Sequence, residues 1–575
     1  MKNLKIHPPS NFYTETDVKP SLTRASLGPK HSETLSTVNN LGLLYSLSGD
    51  FEQAESFYRR ALEASELMLG PEHPSTLTMA RNLGSLYQEK GENEQAEAYL
   101  IRCLEASERL LGPEHPDTLI TVNNLGMLYA DKGDLEQAEA YLIRCLEASE
   151  RLLGPEHPST LITVNNLALL YCKNGDYKLA ETYYMRSIEA SERLLGPEHP
   201  DTLISVGNLA SLFTVKGDFE QAEALYKRCL EAQEQLLGPE HPITLTTLSS
   251  LGLLCADKGD HPQAIFFLTR YVNTRKRMNG AEQLETLIAV NILGRLYLEI
   301  DYYKLAESHY THYLDGIERL LGPEHPERIS AISNLGLLFH KSGDHKKAEQ
   351  LYREALAGQI AIFGDEDVDT MATRDGLARC LSEQERYEEA IEQRRIVLTW
   401  CRKQGRNADS DTFGRINDLA TDLRQTGAFE ESEGLFRELV SGLKQMLEPC
   451  HFAIAHALSG LARTLEDAHK LEDAAAIAQQ ALDHRSQLEG PDAGWTNHHR
   501  LDLARILSRL NRSAEALSLL ERMEQSIASN TQPNRGDQAL LEAAAELRAA
   551  LSGSEHPARL SKRQSLRAWS RRLIT

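Results

Sequence analysis

Apolar positions along the chain recur at spacings of three and four, in paired runs parted by a short break that usually holds glycine. One unit runs from Asn39 to Tyr45 (Asn-Asn-Leu-Gly-Leu-Leu-Tyr), then Gly49-Asp50-Phe51, then Ala54, Tyr58 and Ala61. That spacing on both sides of Gly49 predicts two amphipathic helices joined by a tight turn. The segment Leu-Gly-Pro-Glu-His-Pro then follows. Its glycine suits a left-handed C-terminal cap on the second helix. Its second proline, Pro74 for instance, fits the first turn of the next helix, where no N–H is required. Pro262 falls just inside the start of a second helix, another tolerated place.

The unit repeats. Its linker glycine recurs at Gly28, Gly70, Gly112, Gly154, Gly196, Gly238, Gly280, Gly322 and Gly364, each step 42 residues. The register is lost at Arg406 and Glu448 and returns at Gly490 with Pro491. Twelve repeats fit, from about Glu33 to Ser529. One column on the first helix stays small, from Gly42, Gly84, Gly126, Ala168 and Ala210 through to Ala504. A second small column, Ala54, Ala96, Ala138, Ala180 and onward, lies on the second helix. Together they let paired helices approach at the short end of the roughly 8–10 Å packing range. The larger column Tyr45, Tyr87, Tyr129 and Tyr171 reads as packing. The fold class expected is all-α, a right-handed solenoid of about twelve antiparallel hairpins. Residues 1–26 read as a disordered lead-in, 27–529 as the solenoid (regular over 27–362, divergent over 363–529), 530–555 as a capping helix and 556–575 as a basic tail.

Composition narrows the function. With 62 Lys and Arg against 84 Asp and Glu, the formal net charge is −22. That disfavours nucleic acid, whose phosphates demand a basic surface, and favours solubility and basic partners. No apolar run reaches the roughly 18 residues a bilayer span needs. A cytoplasmic protein is the simplest expectation. The eight cysteines show no CxxC pair; Cys103, Cys145 and Cys229 share one column with Ala61 and Ser187 and read as small core residues.

The pattern N-L-G-x-x-Y-x-x-x-G-D-F-x-x-A-x-x-x-Y-x-x-A, carried by Asn40, Leu41, Gly42, Tyr45, Gly49, Asp50, Phe51, Ala54, Tyr58 and Ala61, resembles the tetratricopeptide consensus. That repeat usually has a period of about 34 residues. The extra residues here follow Ala61, lengthening the second helix and adding the Pro-Glu-His-Pro linker. A 42-residue unit of this kind is similar to the kinesin light chain type of repeat. Such light chains carry an N-terminal coiled coil that docks the heavy chain, whereas residues 1–26 show no heptads. The resemblance therefore implies the cargo-binding type of module. Similar arrays occur beside bacterial tubulins and in fungal and bacterial sensors.

In that family the first helices line a concave groove. The resemblance transfers groove positions onto Asn39, Asn40, Asn123, Asn124, Asn165, Asn166 and Asn291. A carboxamide offers donor and acceptor, so such a ladder can hold an extended peptide by its backbone; it can equally bond to the neighbouring helix. Helical phase adds a second column, Leu43, Ser85, Met127, Leu169, Ser211 and Leu253, then Arg295, Leu337, Arg379, Thr421, Arg463 and Arg505. These arginines would suit an acidic peptide, since guanidinium matches carboxylate bidentately, or would pair internally with Asp375, Asp418 and Asp502. On the outer faces, Glu105 with Arg109, Glu147 with Arg151 and Glu189 with Arg193 are i,i+4 pairs.

Catalytic and metal chemistry are not expected. The column His31, His73, His115, His157, His199, His241 and His325 repeats at least roughly 8–10 Å apart, too far to converge on an ion about 2 Å away. Cap or linker histidine is the reading. His309 and His312 have helical spacing but no further obvious ligand. No phosphate-cradling loop or nucleophile elbow occurs, and no cofactor is expected. Arg559, Lys562, Arg563, Arg567, Arg571 and Arg572, interleaved with Leu560, Leu566, Trp569, Leu573 and Ile574, make the tail basic; membrane contact is conceivable only there. The expected function is a noncatalytic adaptor or scaffold binding an extended peptide or helix in the groove. The alternatives are a cytoskeletal accessory to a motor or tubulin-like polymer, and a regulatory or sensor subunit.

Overall fold

The computed structural model describes residues 32–47, 49–279, 283–406, 409–447, 451–529 and 535–551. The lead-in 1–26, His31 and the tail 556–575 lie outside them. The chain divides into two compact units, Met1–Ile300 and Asp301–Thr575.

The first unit holds α1 (Ser32–Leu47), α2 (Phe51–Leu69), α3 (Pro74–Glu89), α4 (Asn93–Leu111), α5 (Pro116–Lys132), α6 (Leu135–Leu153) and α7 (Pro158–Lys173). It continues with α8 (Tyr177–Leu194), α9 (Pro200–Lys216), α10 (Phe219–Leu236), α11 (Pro242–Asp257), α12 (His261–Asn279) and α13 (Leu284–Glu299). The second holds α14 (Tyr303–Leu321), α15 (Pro326–Lys341), α16 (His345–Phe363), α17 (Val368–Glu383), α18 (Tyr387–Lys403) and α19 (Ser410–Thr426). Then come α20 (Phe429–Met446), α21 (Phe452–Asp467), α22 (Leu471–Glu489), α23 (Gly494–Arg509), α24 (Ser513–Ala528) and α25 (Arg535–Leu551). The architecture is all-α, with helices in sequential antiparallel pairs that form a solenoid of about twelve hairpins. The hairpin pattern persists in α17–α18, α19–α20 and α21–α22, on either side of the two places where the sequence register is hard to see. The last helix, α25, packs on α23 and α24 and buries Leu540, Ala544 and Leu547.

Many helix starts are capped by a side chain at a fixed place in the repeat. In the Gly-Asp-Phe turn, Asp50 accepts from the backbone N–H of Gln53 at 3.1 Å, and Asp134, Asp176, Asp260 and Asp344 do the same in their repeats. At first helices the linker histidine serves. Nδ1 of His73, His115, His157, His199, His241 and His325 accepts the N–H two residues on, at 3.1–3.3 Å. His451 repeats this. In the same column stand Asp367 and Asp409, which accept from Asp369, Thr370 and Thr412. The column is one for an N-cap acceptor, each worth roughly 1 kcal/mol. The cap reading of the histidines holds.

The linker glycine is not a left-handed cap. Gly154 has φ 96° and ψ 159°, with the same geometry at Gly70 and Gly112. That is the extended positive-φ region, open in practice to glycine alone. It turns the chain out so that the buried Thr160 hydroxyl donates to the Gly154 carbonyl at 2.9 Å.

The left-handed residues lie instead in the tight turn inside each hairpin, as at Gly133 (φ 81°, ψ 5°). Asp301, Glu385, His469 and Asn511 occupy this column without glycine and still adopt φ of 59–62°. A side chain there costs roughly 1–2 kcal/mol. Glu385 is exposed, so Glu385→Gly is expected to stabilise the second unit by about 0.5–1 kcal/mol after allowing for the freer unfolded glycine. A higher urea midpoint checks it, and an unchanged or lower one contradicts it.

The small column does what close packing requires. A Cβ added at Gly126 would stand 2.7 Å from Cγ of Leu142 on α6, inside any real contact. The tyrosine column knits one repeat to the preceding one. Tyr129 stacks on Tyr141 at 5.5 Å and donates to Glu97 of α4 at 2.6 Å, while Lys132 pairs with the same carboxylate at 2.6 Å. Tyr171 repeats the bond to Glu139 at 2.7 Å. Cys103, Cys145 and Cys229 are buried, and burial pushes the Cys229 thiol up to about 12.

Candidate peptide groove

Consecutive first helices touch one another as well as their own partners: α1 with α3, α3 with α5, α5 with α7, α7 with α9, and α9 with α11. In the second unit α15 touches α17 and α19 touches α21. The first helices are therefore the crowded, inner side of each stack. Consecutive second helices are linked by close ion pairs between long side chains instead. Arg228 reaches back to Glu192 at 2.6 Å, and Arg102, Arg144 and Arg186 make the same step to Glu66, Glu108 and Glu150. The expected i,i+4 pairs give way to the same geometry. Arg109, Arg151 and Arg193 pair with Glu72, Glu114 and Glu156 of the preceding linker, which the long second helix brings within reach.

The asparagine column forms a ladder between repeats. Nδ2 of Asn82 donates to Oδ1 of Asn39 at 3.2 Å, Asn166 to Asn123 at 3.0 Å, and Asn208 to Asn165 at 3.4 Å. Asn124 donates to Ser85 Oγ at 3.2 Å. The second amide of one repeat thus bonds to the first amide of the repeat before. Asn40 is exposed; Asn39, Asn123, Asn124 and Asn291 are half-buried. Asn165 and Asn166 are buried at 2% and 1%, and beside them Met127, Leu169 and Ser211 are buried too. Over α5 to α9 the first helices close over these side chains.

The arginine column stands differently. Arg295, Arg379 and Arg463 are exposed, and Arg505 is half-buried. Arg379 pairs with Asp375 one turn earlier on α17. Arg463 Nη2 lies 3.0 Å from Asp502, and Arg505 lies 2.9 Å from Glu466 and 3.2 Å from Asp502. Arg509 also reaches Glu466 at 2.9 Å. Desolvation works against the Asp502 carboxylate, but Arg463 and Arg505 outweigh it and hold Asp502 at about 2. The third acid weighed as a partner is taken elsewhere. Asp418 binds Arg394 of α18 at 2.8 Å, with Asp422 at 2.8 Å on the same guanidinium. That network has no periodic trace, because Arg394 comes from a second helix.

His309 Nδ1 donates to the Leu305 carbonyl of its own helix at 2.8 Å, and no metal-ligating group of three includes it or His312 among the described residues. No helix there is long and apolar enough to cross a membrane.

Residues 75–134, 118–171, 160–214, 205–277, 284–361 and 453–524 match a tetratricopeptide repeat model, and 34–75 match a second model of the same description. The chain belongs to the tetratricopeptide repeat family. Tetratricopeptide repeats are generally protein-interaction scaffolds and typically noncatalytic. Among solved structures, the chain is similar to the Podosopora anserina "putative kinesin light chain nearly identical TPR-like repeats". The two are 25% identical over 36% of this chain and 97% of that one, with a TM-score of 0.30. It is also similar to BtubC (BKLC) from P. vanneervenii, at 22% identity, 41% and 92% coverage and a TM-score of 0.32. The quorum sensor NprR from B. thuringiensis aligns at 16% identity over 64% of this chain and 99% of that one, with a TM-score of 0.44. No curated relative matches.

Proposed function

We propose that this tetratricopeptide repeat protein is a noncatalytic adaptor that takes an acidic peptide segment along the first helices of its second unit. The observation that supports it is the state of Arg379 and Arg463. Their side chains are 50% and 47% exposed although each already pairs with an aspartate. A guanidinium carries five N–H donors, and one carboxylate engages only part of that fork. The remaining edge can meet a peptide carboxylate side-on. The acids beneath, buried Asp375 and half-buried Asp502, hold the arginines in place rather than consuming them. In the first unit, the exposed Asn40 is the amide best placed to meet a peptide backbone, while Asn124, Asn165 and Asn166 bond within the stack.

Fluorescence anisotropy with labelled acidic peptides, with and without an aromatic residue, tests this on the intact chain. Arg379→Glu with Arg463→Glu is expected to weaken binding by more than tenfold, and added salt to weaken it in the wild type. Unchanged affinity in the double variant sinks the reading.

A further inference from the structure

The tight turn of the α15–α16 hairpin brings together side chains that the repeat pattern does not relate. His340 is in the last turn of α15, His345 opens α16, and Cys380 projects from α17 of the next repeat. One ligand atom from each lies within 4.8 Å of the other two, the only such trio among the described residues. Sγ of Cys380 is 3.2 Å from Nδ1 of His340, and the imidazoles sit with centroids 5.4 Å apart. Cys380 is fully buried, and Nδ1 of His345 is buried with no hydrogen-bond partner.

We infer that His340, His345 and Cys380 form a zinc site that pins this hairpin turn to the first helix of the following repeat. Three observations support it. The ligand set is nitrogen and sulfur, the chemistry zinc prefers. Zinc bonds of about 2.0–2.1 Å to nitrogen and 2.3 Å to sulfur place tetrahedral ligands about 3.3–3.6 Å apart; Cys380 and His340 already stand close to that spacing, and the other separations, within 4.8 Å, must close by at most about 1.5 Å. The orphaned nitrogen of His345 gains a partner that the protein does not otherwise give it. Glu383, one turn beyond Cys380, adds negative charge felt at both His340 and Cys380. The fourth position falls to water or to Glu383. Binding converts the Cys380 thiol to thiolate and releases one proton to solvent, with both histidines neutral.

The site ties three helices, and it does not depend on the groove reading. Its test uses the intact chain stripped with a chelator, then titrated with zinc against a chromophoric competitor and separately with cobalt. One equivalent of zinc is expected. The cobalt form should show a thiolate-to-metal charge-transfer band in the near ultraviolet. Cys380→Ser should abolish that band, and His345→Gln should weaken zinc binding at least tenfold while keeping the band at higher cobalt. Circular dichroism in chelator confirms that each variant is folded, and His345, at an exposed turn, serves if the serine variant is not. A cobalt band that survives Cys380→Ser, or zinc affinity unchanged in His345→Gln, overturns the inference. So does a wild-type chain that takes up no stoichiometric metal.

Discussion

Arg394→Met is expected to destabilise the second unit by about 3–5 kcal/mol, the usual result of removing one partner from a buried ion pair. Arg394 and Asp422 are each 5% exposed, and the guanidinium also serves Asp418 at 2.8 Å. Ser382 donates to the same Asp422 oxygen at 2.7 Å. Burial already pushes the Asp422 carboxyl above its ordinary range, with Arg394 working against that shift. Without the cation, the carboxylate must either stay buried and charged or take up a proton. The double change Arg394→Met with Asp422→Leu should recover most of the loss, since a buried pair replaced by apolar groups is often near neutral. Trp400 and Trp495 are the tryptophans of the described residues and both lie in the second unit. Tryptophan fluorescence during urea unfolding therefore reads that unit. A single variant within about 1 kcal/mol of wild type contradicts the assignment.

The second unit is also expected to weaken in mild acid. Burial holds the His499 imidazole down at about 4, against an ordinary value of 6.5. Asp502 opposes that shift, while Arg485, Arg463 and His498 add to it, and Ser459 bonds to Nδ1 at 2.9 Å. Between these two values the unfolded chain binds a proton that the folded chain refuses. Stability therefore falls as pH drops from 6.5 to 4, by at most about 3 kcal/mol at 1.36 kcal/mol per pH unit. His456, shifted the same way by burial, adds to the slope. Below this window Asp502 takes over. Its depressed value means its contribution is present above 3.8 and lost between 3.8 and about 2. Urea midpoints at pH 7, 5.5 and 4.5 should decline steadily, and His499→Gln should flatten the decline above pH 4. A wild-type midpoint flat from pH 7 to 4.5 rules this out.

Much of this was legible in the sequence because a helical hairpin is a local structure. Spacing of three and four, the Gly-Asp-Phe turn and the proline that starts six of the first helices all act over a few residues, and each is where the repeat places it. The arginine and asparagine columns were legible as columns but not as bonds. Whether Asn166 meets a ligand or Asn123 depends on how closely α5 and α7 approach, which no single repeat encodes. The linker glycine shows the limit of a local reading: positive φ was readable at Gly154, but its ψ is set by the Thr160 hydroxyl that closes the linker. The His340, His345 and Cys380 trio leaves no motif, because two ligands straddle a turn and the third comes from the next repeat. Arg394 escaped for the same reason.

The unbroken 42-residue step has a genetic corollary. Residues 94–116 and 136–158 are identical, from Glu94 through Pro116 and from Glu136 through Pro158. Excising 117–158 would join Pro116 to Ser159 and seat α4 against α7. Since α4 and α6 share that sequence from Glu94 and Glu136 onward, the new junction recreates one the protein already makes. Unequal recombination within this stretch can therefore lengthen or shorten the array by whole units while keeping the second-helix junction, the one new contact being that of first helices, α3 in place of α5 against α7. Array length, and with it the reach of the binding surface, is open to change at little cost in folding.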